Sequence, residues 1–230
     1  GKLEVTAADG AKSIVEGKYI VIATGGRSRQ LPSMPQDGKK IIGYREAMVL
    51  PTQPKSMIIC GSGAIGSEFA YFYNSLGTKV TMVEFMPRLV PVEDDDISRE
   101  LEKNFKKQGM TIMTSAEVTS VDISGAGVKA KVKTASGEET LEADILLSAV
   151  GVVANIENMG LEALGIKTDK GKISVDVNQQ TNIPGIYAIG DCTPGQALAH
   201  VASKEGINAA EHLCGHHPDP MDYNNIPGCT

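Results

Sequence analysis

The sequence predicts an α/β chain built on parallel strands, and three observations lead there. Two segments repeat one pattern, an antiparallel hairpin feeding a short apolar strand that ends on Ala-x-Gly: one closes on "YIVIATG" at Gly25, the other on "DILLSAVG" at Gly151. A third apolar strand, "GIYAIGD", ends on Asp191. Between the repeats stands a strand, a glycine-rich turn and an apolar-faced helix, "MIICGSGAIGSEFAYFYNSLG". Apolar strands alternating with helical stretches read as βαβ units, whose strands are covered on both faces.

In the first repeat Leu3 and Val5 alternate with polar residues before Asp9-Gly10; in the second, Val128, Ala130 and Val132 do so before Ser136-Gly137. Such turns between alternating runs signal hairpins. From turn glycine to final glycine is 15 residues in one copy and 14 in the other, so the pattern reads as one β-meander unit used twice. "PTQPKS", residues 51–56, is a proline-bearing linker. The next helix carries Phe69, Ala70, Phe72, Tyr73 and Leu76 on its apolar side, with Gly77 as a left-handed cap. "KVTMVE" is a strand ending on Glu84. Asp94, Asp95 and Asp96 head a further helix and Lys103, Lys106 and Lys107 end it, an order that complements the helix dipole. Ile97, Leu101 and Phe105 form its expected buried stripe. Neighbouring aspartates on a helix start point different ways and make a poor cation site. "MTIMTSAEVTSVDI" leads into the second meander. After Asp191, "CTPGQALAHVASKEGINAAEHLCG" reads as a helix with Ala199, Ala202, Gly206 and Ala210 on a small-residue face. "CGHH", with Cys214, His216 and His217, reads as that helix's end, since no second ligand pair accompanies it.

With 230 residues, 41% of them hydrophobic and 22% charged, the chain can bury one or two cores. A net charge of −6 gives no ground for nucleic-acid binding. No apolar run reaches the ~20 residues of a membrane span. Cys60, Cys192, Cys214 and Cys229 form no CxxC, which fits free thiols in a reducing cytoplasm. The chain opens on Gly1 and closes on "IPGCT", and reads as a piece of a longer protein.

Gly61-x-Gly63-x-x-Gly66 follows a strand and opens a helix, and Glu84 ends the next strand 18 residues past the third glycine. This is the context a Rossmann dinucleotide fingerprint requires. Gly61 permits the turn, Gly63 lets backbone approach a pyrophosphate, and Gly66 lets helix pack on strand. Free N–H groups at the helix start attract phosphate. Glu84 can accept from both ribose hydroxyls and would repel a 2′-phosphate, so NAD is expected over NADP. Asp191 sits at the C-terminal end of an apolar strand, where ligands bind. It reads either as an acid for a sugar-like hydroxyl or as an N-cap.

In order, "IICGSGAIGSEFA", "VTMVE", "ILLSAVG", "IYAIGD" and "ALAHVASKEG" resemble the flavoprotein disulfide reductases over essentially the whole chain, and within them the members that oxidise a dihydrolipoyl group. The resemblance implies an NAD-binding domain inserted in an FAD-binding domain, with a meander in each: residues 1–50 and 153–230 as FAD-domain parts and 51–152 as the NAD domain. It implies Gly61, Ser62, Gly63, Ala64, Ile65, Gly66, Ser67 and Glu68 as the NAD turn, with Glu68 facing the nicotinamide. It implies Glu84 at the adenosine ribose, the Val118 backbone at the adenine and Gly151 beside the nicotinamide. For FAD it implies Thr24, Gly25, Asp191 and the segment Ala197, Leu198, Ala199 and His200. Electrons would pass from the dithiol through an enzyme disulfide and flavin to NAD. The partners implied are a second copy in a homodimer and a lipoyl-bearing 2-oxoacid dehydrogenase complex or glycine cleavage system. An NADH oxidase, a soluble transhydrogenase or a bare NAD-binding module stay open beside this.

The chain departs from that family in several places. It lacks the redox-active CxxxxC, a first GxGxxG and the catalytic His-Glu pair, and His200 does not match the family's base. Gly151-Val152-Val153-Ala154-Asn155 stands where the family often has Gly-Arg-x-Pro-Asn, so that arginine's contact is lost. By itself the chain is expected to be inactive and not to retain FAD.

Overall fold

The computed structural model describes residues 1–230, and the chain divides into two compact units. One comprises Gly1–Arg27 with Val153–Cys229, the other Ser28–Val152 with Thr230.

The central unit is a five-stranded, all-parallel sheet in the order Ile41–Ile42, Ile145–Ser148, Ser56–Cys60, Lys79–Val83, Thr111–Met113. Side chains alternate between its faces. Met57, Ile59 and Met82 pack against Ala70, Tyr73 and Phe105 of the helices Ala64–Ser75 and Asp95–Lys107. Ile58, Cys60 and Val83 pack against Val118, Val128, Ala130 and Val132 of a three-stranded antiparallel meander, Glu117–Asp122, Val128–Thr134 and Gly137–Ala143. Cover on both faces is why these strands carry unbroken apolar runs. Asp94 caps the second helix by accepting from the Asp96 N–H, at 2.8 Å. Phe105 is buried as expected, but Ile97 is 59% exposed: Ser98 takes the inward position instead, its hydroxyl donating to the Leu89 carbonyl. Phe72 and Leu76 are also exposed, whereas Tyr73 is buried in the core and its hydroxyl donates to the Ala47 carbonyl at 2.5 Å.

In the outer unit Ile20–Ile22 pairs in parallel with Ile186–Ala188. Ile22, Ala188, Leu161, Ile166, Ile173 and Cys192 form its core. The hairpin Lys2–Thr6 and Lys12–Glu16 forms as expected, but as two strands rather than a full meander. Leu3 pairs with Val15 beside Val5, and all three are exposed. The stretch after Asp191 turns helical only at Ala199, and Ala199–Leu213 ends at Cys214 with Gly215 left-handed. Val201, Glu205, Asn208 and Ala209 are its buried positions, while Ala202 and Gly206 meet Gly190 and Ile189.

The expected boundary at residue 51 lies inside the central unit, because Ile41–Ile42 extends the parallel sheet along Leu146–Leu147. The two Ala-x-Gly endings acquire a common reason. Gly25 and Gly151 are both left-handed, at φ of 65° and 111°, and the chain leaves one unit for the other just after each, between residues 27 and 28 and between 152 and 153.

All four cysteines are unpaired; Cys60 and Cys192 are buried, Cys214 and Cys229 exposed. Burial, with the nearby Glu84 charge second, pushes the Cys60 thiol up to about 12. Titration with a thiol-reactive dye is therefore expected to count two thiols in the native chain and four in denaturant; rapid labelling of Cys60 would contradict this packing.

Candidate functional site

The C-terminal ends of Ser56–Cys60 and Lys79–Val83 lie side by side, and the glycine turn and Glu84 leave from them. Gly61 sits at φ of 96°, and a Cβ there would come within 2.4 Å of the Ala149 carbonyl oxygen. At Gly66 a Cβ would stand 2.0 Å from the Gly61 carbonyl oxygen, so helix and strand meet with no room for a side chain. Gly63 differs: its φ of −64° suits any residue, and a Cβ would meet no protein atom. The fold does not demand a glycine there. What it leaves is free space beside the first turn of Ala64–Ser75, whose N–H groups have no intrahelical acceptor. No side chain caps that turn and no acid lies in it, so its positive end is uncancelled. Free space and unclaimed N–H donors fit a pyrophosphate.

Glu84 is 6% exposed, and three donors converge on its carboxylate. Ser62 gives both its N–H and its hydroxyl to Oε2, each at 2.7 Å, and the Met86 N–H goes to Oε1 at 2.7 Å. Beside Glu84 opens a cleft of about 300 Å³ lined by Phe85, Ser115, Ala116, Glu117, Lys133 and Thr134. The Glu84 carbonyl accepts from Ala116 N–H at 2.9 Å and the Met86 carbonyl from Ser115 N–H at 2.9 Å, which fixes the cleft's floor. Phe85, 69% exposed, is its aromatic wall.

The NAD-turn residues of the sequence reading thus separate. Gly63, Ala64 and Ile65 form the open helix start, and Glu68 is exposed on its second turn. Ser62 and Ser67 are buried, the Ser67 hydroxyl donating to the Ser62 carbonyl. Val118 is buried in the core by its side chain, and residues 115–117 line the adjacent cleft. Gly151 is exposed, with the Arg29 guanidinium 3.8 Å from where its Cβ would be.

In the outer unit Thr24, Gly25 and Asp191 leave the ends of two paired parallel strands, with the Ile189 N–H bonded to the Ile22 carbonyl. Asp191 is half-buried in the 3₁₀ turn Gly190–Cys192 and caps neither that turn, which starts from Ile189, nor the long helix, which starts from Leu198. Ala197, Ala199 and His200 are exposed. The Thr24–Gly25 turn is clamped: Asn155 donates its side chain to the Thr24 carbonyl and its N–H to the Gly25 carbonyl. Arg27 then ties Asn155 to Glu157, and its guanidinium holds the Glu157 carboxyl at about 2.

Phe85, Ser115 and Met86 escaped the sequence reading. An aromatic directly after the acid that ends the second strand run was a usable signal; Ser115, left-handed at φ of 49°, gives none.

These features define a dinucleotide-binding protein of parallel α/β architecture. The chain belongs to the pyridine nucleotide-disulphide oxidoreductase family, whose profile matches residues 1–206. It is 45% identical over 227 residues to a dihydrolipoyl dehydrogenase of Chlorobaculum tepidum, covering 98% of this chain and 48% of that protein. It is 48% identical over 215 residues to one from Rhizobium etli, covering 93% and 45%. LpdA from Mycobacterium tuberculosis superposes with a TM-score of 0.86 at 37% identity, over 95% of this chain and 47% of that one. The chain spans about half the length of the relatives it matches. No helix is long and apolar enough to cross a membrane.

The glycines can be told apart by stability alone. Gly66→Ala is expected to cost about 1–3 kcal/mol or more, as an overpacked contact with backbone, and Gly63→Ala no more than about 1 kcal/mol. Urea unfolding of both variants measures this; equal losses would contradict the packing described.

Proposed function

We propose that this chain is the central segment of an FAD-dependent dihydrolipoyl dehydrogenase, and that its own part is to bind NAD. The observation that carries the reading is the free space over Gly63 at an uncapped helix start, with Glu84 at the tip of the adjacent strand. The pyrophosphate would lie on the N–H groups of the first helical turn, the adenosine ribose at Glu84, and the adenine in the cleft walled by Phe85 and residues 115–117. Glu68 and Gly151 are the residues we assign to the nicotinamide half.

Thr24, Gly25, Asp191 and the segment 197–200 are assigned to FAD, with Asp191 taking a ribityl hydroxyl. When bound, the flavin supplies the two-electron relay between a dithiol and a pyridine nucleotide. The Arg27–Asn155–Glu157 clamp keeps the Thr24–Gly25 turn in place for it. One GxGxxG turn occurs in these residues, so the chain by itself cradles one dinucleotide, and we expect it neither to hold FAD through gel filtration nor to turn over dihydrolipoamide. The whole protein's partners are proposed to be a lipoyl-bearing 2-oxoacid dehydrogenase complex or glycine cleavage system and a second copy of itself. Four unpaired thiols support a reducing compartment such as the cytoplasm.

Calorimetric titration tests the reading. NAD is expected to bind tighter than NADP, and Glu84→Arg to narrow or invert the preference, by on the order of 1–3 kcal/mol. Gly63→Ala is expected to weaken NAD binding at least about tenfold while costing no more than about 1 kcal/mol of stability. Equal affinity for the two nucleotides, or tighter NADP, would overturn it.

A further inference from the structure

Ser62 is fully buried inside the turn that is assigned to the pyrophosphate, yet it makes more side-chain and backbone hydrogen bonds than any glycine around it. Its N–H and its hydroxyl both go to Oε2 of Glu84. A carboxylate oxygen has two lone pairs, so Oε2 is filled. Oε1 accepts the Met86 N–H and keeps one lone pair. The Ser62 carbonyl is held in turn, by the Ser67 hydroxyl at 2.9 Å and the Val90 N–H at 3.1 Å. Val90 makes that bond from φ of 38°, a left-handed conformation that is strained for a β-branched residue. The strain persists because the surroundings fix it: Leu89 and Val90 are buried in the core and the Leu89 carbonyl accepts from Ser98. Ser62 therefore cannot move away from Glu84, and Glu84 cannot turn away from Ser62.

We propose that Ser62 is the specificity-positioning residue of this site. Resting on the reading that Glu84 receives the adenosine ribose of NAD, it locks the carboxylate so that one acceptor, on Oε1, faces the nucleotide. Glu84 then takes a single ribose hydroxyl rather than both. Its charge stays fixed where a 2′-phosphate would arrive, because a locked carboxylate cannot swing aside to admit one. In this chain discrimination against NADP comes from the acid and from the serine that immobilises it.

The test compares Ser62→Ala, Glu84→Ala and the double variant with the parent chain, by calorimetric titration with NAD and NADP. Ser62→Ala keeps the backbone N–H bond and loses the hydroxyl bond. It is expected to weaken NAD binding a few-fold and to cut the ratio of NADP to NAD dissociation constants about fivefold to tenfold. In the Glu84→Ala background the same change is expected to leave the ratio alone, since Ser62 has no carboxylate to hold. A merely structural serine would lower Tm with the ratio unchanged, and that result overturns the proposal, as does an equal effect of Ser62→Ala with and without Glu84. Should Ser62→Ala not fold, Ser62→Cys, a weaker donor of similar size, is expected to give an intermediate ratio; a parental ratio there also overturns it. Failure of the underlying reading looks different: the parent chain itself would show no preference for NAD, whatever residue 62 is.

Discussion

Three donors within 2.7 Å of one buried carboxylate hold the site together. Glu84 directly follows one parallel strand, Ser62 follows the end of its neighbour, and Met86 lies in the loop beyond Glu84. Hydrogen bonds to a charged group contribute roughly 1.5–3 kcal/mol each, and leaving such a charge buried without them costs more than they gain. The glycine turn, the acid and the 85–90 loop are thus one unit: Ser62 joins the turn to the acid, and its carbonyl joins both to Val90. The parallel sheet makes this possible by bringing the two strand ends into register, Cys60 beside Val83.

The helix start depends on the same arrangement. Gly66 lets Ala64–Ser75 sit directly on the Gly61 carbonyl, which aims the first turn at the space over Gly63. An anion drawn there by free N–H groups meets a fixed negative charge at Glu84 a short distance along the sheet edge. In the proposed binding mode a neutral ribose would be accepted at that charge and a phosphate refused, so one geometry would serve both attraction and refusal.

Much of this was legible in the residues. The strand–turn–helix–strand–acid order of 57–84 assigned the parallel sheet, the helix and the roles of Gly61 and Gly66, because each step rests on local constraints that only certain residues satisfy. The hairpins, the left-handed Gly77 and the helix start at Asp94–Asp96 were equally local. What failed depended on tertiary packing. Ile97 fits the stripe by spacing, but Ser98 has a carbonyl to reach and turns inward. The linker at 51–56 suggested a boundary, yet two residues at 41–42 find an open sheet edge beside Leu146 and Leu147. Ser62 stood among the turn residues matched to NAD, and the fold adds that its N–H and hydroxyl go to Glu84. Val118 was named for its backbone, which its buried side chain leaves available, and residues 115–117 line the cleft ahead of it.

The claim at the centre is that one continuous edge, from the Gly63 turn through Glu84 to the Phe85 cleft, receives the nucleotide. Backbone amide NMR of the chain titrated with NAD tests it most directly. Shifts are expected to concentrate at residues 62–66, 84–86 and 115–117, with the hairpin Lys2–Glu16 and the helix Ala199–Leu213 unmoved. Saturable shifts centred on Thr24, Gly25 and Asp191, with 62–66 silent, would contradict it.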